Sequence, residues 1–430
     1  MMTTSTASIY TPDKPAGKPR IGTSNGNATG AGAILQPSSP ALKALLEEIA
    51  AGASEREAKR IAPHEQIRQI ADAGLGRLRI PVAEGGAGVS LRQLFEFLIQ
   101  LAEADSNVAH ILRVHYWFVE AQLQRPPTDP LRARNIALVN QGNIFGNGFS
   151  EQSQRAVGLY FETTLTPDAS GKGYRLNGKK YYSTGSLYST YTLIFASTPR
   201  GTVAAATIPV DREGLRLEDD WDGFGQRLTG TGSTILDNVY VAEDEVEEFG
   251  DPDGPQPPTY QYAFLQLFLQ AVAAGILRAV RNDSVALVRR RKRNFSHAQA
   301  KEPTGDPQVL QVVGEIAADS FAADAIVLAA ADVIEQAALS VKDGLPDRGL
   351  AERAQITSAL AKVAIDRFAY ATASRLFDVG GASATQAVYN LDRHWRNVRT
   401  ASTHNPTFGK ATAIGDFFVN AKAPPLNGYF

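Results

Sequence analysis

The 430-residue chain contains six histidines and no cysteine. Without a thiol, disulfides, thiolate metal sites, iron–sulfur clusters and a cysteine nucleophile are impossible. Chemistry falls to imidazole, carboxylates, hydroxyls or a borrowed cofactor, and no metal site is expected. The densest run of reactive side chains is Asp392-Arg393-His394-Trp395-Arg396-Asn397-Val398-Arg399-Thr400, followed by His404-Asn405-Pro406. A free imidazole, with a pKa of ~6.5, gains or loses a proton near neutrality. His404 sits in a loop-like Thr-His-Asn-Pro setting, where an exposed functional role is expected. His110 and His115 share an aromatic helical face on which histidine is more often a hydrogen-bonded packing residue than a catalyst. His64, His297 and His394 read as structural or solvent-facing. The five cations from Arg289 to Arg293 suit a helix C-terminus, where positive charge complements the macrodipole, or a guanidinium grip on phosphate.

The elements that must position these groups follow from the hydrophobic pattern. Residues 1–38 are Thr, Ser, Gly, Pro and Asn with almost no apolar side chain, which reads as a disordered tail and not as a signal peptide. Ser39-Pro40 then caps a helix with Leu42, Leu45, Leu46 and Ile49 on one face, and helical periodicity continues to about Val139. Residues 143–249 change to short β-branched and aromatic runs, Thr192–Ser197, Val203–Val210 and Thr234–Val241. Asn177-Gly178 between two extended runs signals a tight hairpin turn. A Pro- and Gly-rich linker at 250–258 precedes helices over 259–430, the alanine-rich ones suited to burial against other helices or another subunit. The order is therefore a helical domain (39–142), a β domain (143–249) and a second helical domain. Glu84-Gly85-Gly86-Ala87-Gly88 lacks the surrounding βαβ unit of a phosphate fingerprint and reads as a tight turn. No stretch reaches the ~18 uninterrupted apolar residues of a membrane span, and a net charge of −2 creates no field for nucleic acid or an anionic membrane. A cytoplasmic protein is expected.

Four runs in this order, Ile80 to Gly88, Ala104-Asp105-Ser106, Leu176 to Gly185 and Val379-Gly380-Gly381-Ala382-Ser383, resemble the acyl-CoA dehydrogenase superfamily. That resemblance implies an N-terminal helical domain, a central β-sandwich or barrel and a C-terminal four-helix bundle in a homotetramer. The Asp392 to Pro406 run is similar to the flavin-dependent monooxygenases within it, typified by dibenzothiophene monooxygenase. It stands where dehydrogenases carry the carboxylate that removes an α-proton, and no such base is evident. Ala401 occupies a position that is histidine in dibenzothiophene monooxygenase.

The resemblance implies reduced FMN supplied by a separate reductase, addition of O2 at the flavin C4a position, and oxygenation of a small apolar sulfur-, nitrogen- or aromatic-containing substrate. The alternative it leaves open is an acyl-CoA dehydrogenase or oxidase with bound FAD. By the same resemblance His115 and His404 are catalytic, and Asn147 and Thr184 serve both catalysis and the flavin. Ser183, Arg293 and Phe295 contact the cofactor, with Arg293 on its phosphate. Gly380-Gly381 is either a helix-ending turn or the approach to a neighbouring subunit's flavin. Once α, β and α segments are assigned, no length is left for a nicotinamide domain.

Overall fold

The computed structural model describes residues 34–153, 160–250, 254, 256–425, 427–428 and 430. Most of the expected tail and residues 251–253 and 255 of the 250–258 linker lie outside these. The last tail residues do not: Ile34 and Leu35 pack on the core, and the Leu35 amide donates to the Ala73 carbonyl (3.1 Å).

Seven helices come first: α1 (Pro40–Ala51), α2 (Ala53–Lys59), α3 (His64–Asp72), α4 (Leu91–Ala104), α5 (Ser106–Ile111), α6 (Arg113–Gln124) and α7 (Pro130–Asn140). Ser39 caps α1 through its hydroxyl, and Ser90 with Gln93 forms a reciprocal capping box on α4, satisfying amide groups that a helix start leaves unpaired. Asp105 caps α5 with one carboxylate oxygen and binds Arg56 with the other (2.9 Å). The Ala-Asp-Ser run thus joins three helices. Gly85 and Gly88 take positive φ in the turn after Ile80, as the glycine spacing predicts.

Eight strands follow: β1 (Phe145–Gly148), β2 (Thr164–Pro167), β3 (Tyr174–Lys180), β4 (Tyr191–Ser197), β5 (Val203–Pro209), β6 (Leu215–Leu217), β7 (Thr234–Val241) and β8 (Val246–Gly250). They form one mixed sheet in the order β6-β7-β3-β2-β4-β5-β8, with β1 parallel to β4. Strands β2 and β4 meet at a single pair, Thr164 with Ser197. Ile194, Ala204 and Ala206 from one side of that joint share a core with Leu176, Leu236 and Val239 from the other, so the sheet closes over its own side chains in the manner of a sandwich. The opposite face of β4, with Leu193 and Phe195, packs on Phe118 and Ile136 of the helical domain.

The expected Asn177-Gly178 hairpin is not there. Both residues lie inside β3, at a bulge against β7, and the chain turns upstream between β2 and β3. Gly178 serves a close approach instead: it has φ +149°, and a Cβ would stand 2.7 Å from the Thr163 Cα. Glycine marks such crowding as often as it marks a turn.

The C-terminal half comprises α8 (Gln261–Arg290), α9 (Pro307–Leu339), α10 (Arg348–Arg375), α11 (Asp392–Ser402) and α12 (Thr407–Asn420). Helices α8, α9 and α10 pack on one another, α12 runs along α10, and α4 lies across α8. Among the described residues one helix, α8, is long and apolar enough to cross a membrane, and it is mostly buried inside the protein. Gly275 permits the α4 crossing, since a Cβ there would overlap Ala102.

Gly178→Ala is expected to lower stability by about 1–3 kcal/mol, because the added methyl meets backbone that cannot retreat. Urea unfolding checks this; a turn residue at this position would tolerate the change better.

Candidate active site

Helices α5 and α6, the loop carrying Gln226, and α11 converge on one buried polar network. Gln226 adopts φ +50°, unusual for a side-chain-bearing residue, and its amide is held by Asn397 Oδ1 on α11 (2.7 Å). Its side chain accepts from His110 Nδ1 (3.0 Å) and donates to Ser106 Oγ (3.3 Å), while Asn397 Nδ2 also donates to Ser106 (3.2 Å). From Gln226 the chain of hydroxyls runs through Thr229 to Thr231 (2.6 Å) and on to Thr184 (2.9 Å). Ser183 is buried and accepts from Thr234 Oγ1 (2.8 Å). The 183–186 turn then reaches β1, where Ser186 Oγ donates to the Asn147 carbonyl (2.9 Å).

His404 stands at the edge of this network, in the loop between α11 and α12. Arg113 Nη1 donates to its Nε2 (3.2 Å), and Arg113 Nε donates to the Leu265 carbonyl at the start of α8 (3.0 Å). Arginine has no acceptor, so Nε2 carries no proton and the neutral ring has its hydrogen on Nδ1. Desolvation of the ring, followed by the charges of Arg113, His110, Lys362 and Lys410, pushes its pKa well below that of free imidazole. The ring is exposed, as its loop-like setting predicts, and the shift favours its neutral, hydrogen-bond-donating form. Lys362 is neutralised by Asp366 (2.9 Å) and donates to the Ser402 carbonyl at the end of α11 (2.7 Å), while Thr407 also binds Asp366. Lys410 is 2% exposed and has no ion-pair or hydrogen-bond partner among the described residues; its ammonium lies over the Phe430 ring. Burial first, then the Lys362 and Arg113 charges, lower its pKa to about 7.

His115 is not part of this group. Its Nε2–H donates to the Gly76 carbonyl (2.9 Å) and its Nδ1 accepts from the Phe145 amide (3.3 Å). Both nitrogens are committed to backbone, so the fully buried ring ties α6 to β1 and cannot exchange a proton with a ligand. His110, one helical turn earlier, occupies the position in the network that the aromatic-face pattern leaves ambiguous. His394 binds Asp283 (2.8 Å) in a buried structural pair, as expected.

Arg293, Phe295, Gly380 and Gly381 form a second set beyond the far end of α8, in which Arg293 and Phe295 are exposed and Gly380 is buried. Gly381 takes φ +58° and Phe295 is its nearest neighbour, while the Gly381 amide returns to Phe377 in a helix-ending turn. Arg113 is fixed near the first turn of α8 and this set follows its last, so roughly 35–40 Å of helix separates them. Asn147 shares the 183–186 neighbourhood and Arg293 does not. Sequence reasoning missed Arg113, Gln226, Asn397 and Lys410; no local pattern marks them, since α6 also carries Glu120 and α12 Asp416, and their partners come from distant segments.

Asn147 Oδ1 and Thr400 Oγ1 are buried without a partner among the described residues. Beside threonine hydroxyls and a histidine donor, such orphaned groups fit the polar edge of a flavin ring, which offers an N–H donor and carbonyl and ring-nitrogen acceptors. Two family models match the chain, the acyl-CoA dehydrogenase N-terminal domain over residues 40–142 and its C-terminal domain over 267–407. The chain belongs to the acyl-CoA dehydrogenase family. Among relatives, it is 29% identical over 378 residues to a dibenzothiophene monooxygenase of Mycolicibacterium goodii, covering 84% of this chain and 88% of that protein. It is 29% identical over 411 residues to a probable FMNH2-dependent monooxygenase, SfnC, of Pseudomonas putida, covering 92% and 99%. Among solved structures, FMN-bound TdsC from Paenibacillus sp. A11-2 superposes with a TM-score of 0.81 at 28% identity, covering 90% of this chain and 98% of that one.

Acid sensitivity follows from the buried imidazoles. Burial above all lowers the pKa values of His110, His115 and His394 from 6.5 to about 4. Between those values the unfolded chain binds protons that the folded chain does not, so stability falls as pH drops from 6.5 towards 4. His115→Asn should reduce that slope by one proton, about 1.4 kcal/mol per pH unit, in urea titrations at several pH values.

Proposed function

We propose that the protein is a two-component flavin-dependent monooxygenase, taking reduced FMN from a separate NAD(P)H-dependent reductase and inserting one atom of O2 into a small sulfur-, nitrogen- or aromatic-containing substrate. The observation that carries this reading is the composition of the His404 cluster. A dehydrogenase needs a free carboxylate to remove an α-proton. The carboxylate that acts on this cluster, Asp366, is bound by Lys362 and Thr407, and the groups facing His404 are cations and a second imidazole. The similarity to FMN-dependent monooxygenases over nearly the whole chain supports the same reading.

In this reading Asn147, Thr184 and the neighbouring backbone of Ser183 hold the flavin ring. Bound reduced FMN would supply the two electrons that activate O2. His404 offers its Nδ1–H to the oxygen or substrate side of the pocket, its ring held by Arg113, and Arg113 in turn fixed on α8. Thr231 and Gln226 position Thr184 and His110 through the hydroxyl chain. Thr229, Thr231 and Gln226 behind them are buried, while His404 itself is exposed to an incoming ligand. Arg293 and Phe295, exposed at the other end of α8, grip the cofactor phosphate of a neighbouring subunit, and the Gly380-Gly381 turn abuts the same ligand. This arrangement calls for an oligomer, a homotetramer in our reading, and the protein acts in the cytoplasm, where reduced flavin is made.

A panel of thioethers, sulfones, heteroaromatics and amines, offered with reduced FMN and isotopically labelled O2, tests the reaction. Product carrying one labelled oxygen is expected; desaturation of an acyl thioester without oxygen incorporation would overturn the proposal. His404→Ala should still consume reduced FMN and O2 but release hydrogen peroxide in place of product. Arg293→Ala should weaken reduced FMN binding by about 1.5–3 kcal/mol, the scale of a charge-assisted hydrogen bond, measured by anaerobic calorimetry with the fold checked by circular dichroism.

A further inference from the structure

The cations around His404 do not balance. Arg113 is 6% exposed and Lys410 2%. Arg113 Nη2 and Lys410 Nζ have no hydrogen-bond partner among the described residues. Lys362 is matched by Asp366, and neither Arg113 nor Lys410 belongs to an ion pair. Elsewhere the structure compensates its buried charges: Lys180 with Glu151, Arg79 with Glu120, Arg56 with Asp105. Burial lowers the pKa of Arg113 to about 9 and, with the Lys362 and Arg113 charges, that of Lys410 to about 7; cations buried without a counter-charge cost free energy, and an anion from outside the chain would restore their charged forms.

We infer that Arg113 and Lys410 form the oxyanion-binding end of the substrate pocket, so that the enzyme takes a small substrate bearing a compact oxyanion, such as a sulfinate, sulfonate or carboxylate. This rests on the monooxygenase reading and names the substrate class of that same site. The parts suit the task. Arg113 is held rigidly by the Leu265 carbonyl and His404, leaving Nη2 to meet an oxyanion in a fixed direction, as a guanidinium does best. Lys410, whose ammonium form an oxyanion would favour, supplies a point charge from α12. His404 adds its Nδ1–H, and through Nε2 it shares Arg113. The same residue that donates towards the reacting centre is thereby coupled to the residue that recognises the anion.

The experiment uses methanesulfinate as the anionic probe and dimethyl sulfone as its neutral counterpart, titrated anaerobically into the protein loaded with reduced FMN. Wild-type protein should bind methanesulfinate and prefer it to dimethyl sulfone. Lys410→Met should weaken methanesulfinate binding by about tenfold or more and leave both dimethyl sulfone and reduced FMN affinity unchanged. Thermal unfolding provides a readout independent of turnover: removing an unpaired buried ammonium should raise the melting temperature of the ligand-free protein, and methanesulfinate should raise that of the wild type but not of Lys410→Met. Should Lys410→Met fail to fold, Arg113→Lys, which keeps the charge and loses the fork, is expected to show the same selective loss. Equal binding of the two probes by the wild type, or an unchanged methanesulfinate affinity in Lys410→Met, would overturn the proposal. So would a Lys410→Met variant that loses FMN, since the nest would then belong to the cofactor phosphate. Oxygenation of neutral thioethers without anion binding would refute the anion site and keep the monooxygenase; anion binding without any oxygenation would do the reverse.

Discussion

Burial of α8 is the constraint to which the rest of the molecule is referred. Phe264, Leu267, Phe268 and Val272 lie in one apolar core with Leu94, Phe95 and Leu98 of α4 and Ile334 of α9, so the two helical regions share a single interior. Because α8 cannot shift without exposing that surface, its backbone and polar side chains become fixed points. Leu265 fixes Arg113, Gln266 binds Asn405 next to His404 (2.7 Å), and Asp283 binds Arg393 and His394 on α11 (both 2.8 Å). The loop bearing His404 is therefore held from both ends by one helix. Gly275 sets how closely α4, and through it the Asp105 cap of α5, can approach.

Buried charges are treated differently in the scaffold and at the site. In the scaffold, buried charges are matched and buried imidazoles are neutral clamps: His115 spends both nitrogens on backbone, and Glu57 is enclosed by Arg396 and Asn390. Around His404 the matching stops. An amide oxygen on Asn147, a hydroxyl on Thr400, a guanidinium nitrogen and an ammonium are buried without partners among the described residues, and Gln226 holds a backbone conformation that only its neighbours maintain. Groups that destabilise the chain by itself and converge on one region are what a site prepared for a ligand looks like.

Much of the fold was legible in the chain. Ser39-Pro40 and the apolar periodicities mark helix limits because capping and burial are local, one-dimensional demands. Strands β4, β5 and β7 stand out because β-branched and aromatic residues favour a half-buried pleat. The Asp392 to Pro406 run pointed to His404 through its resemblance to the monooxygenase signature and its loop-like Thr-His-Asn-Pro setting, while His394, Asn397 and Asn405 of the same run are buried. Asn177-Gly178 misled because the φ freedom that a hairpin turn needs is the same freedom that a bulge in close contact needs, and only the neighbour, Thr163, decides which applies.

The tertiary structure alone decided the roles of the histidines and the charge of the pocket. His110 and His115 lie on the same kind of helical face, and no local pattern says that one meets a glutamine side chain while the other meets two backbone groups from segments 39 and 30 residues away. The shift of His404 to a neutral donor depends on Arg113, Lys362 and Lys410, which are separated from it by up to 291 residues of chain. A side chain's type is written in the sequence; its protonation and partners are set by desolvation and by charges that converge only on folding, and these are properties of three-dimensional distance.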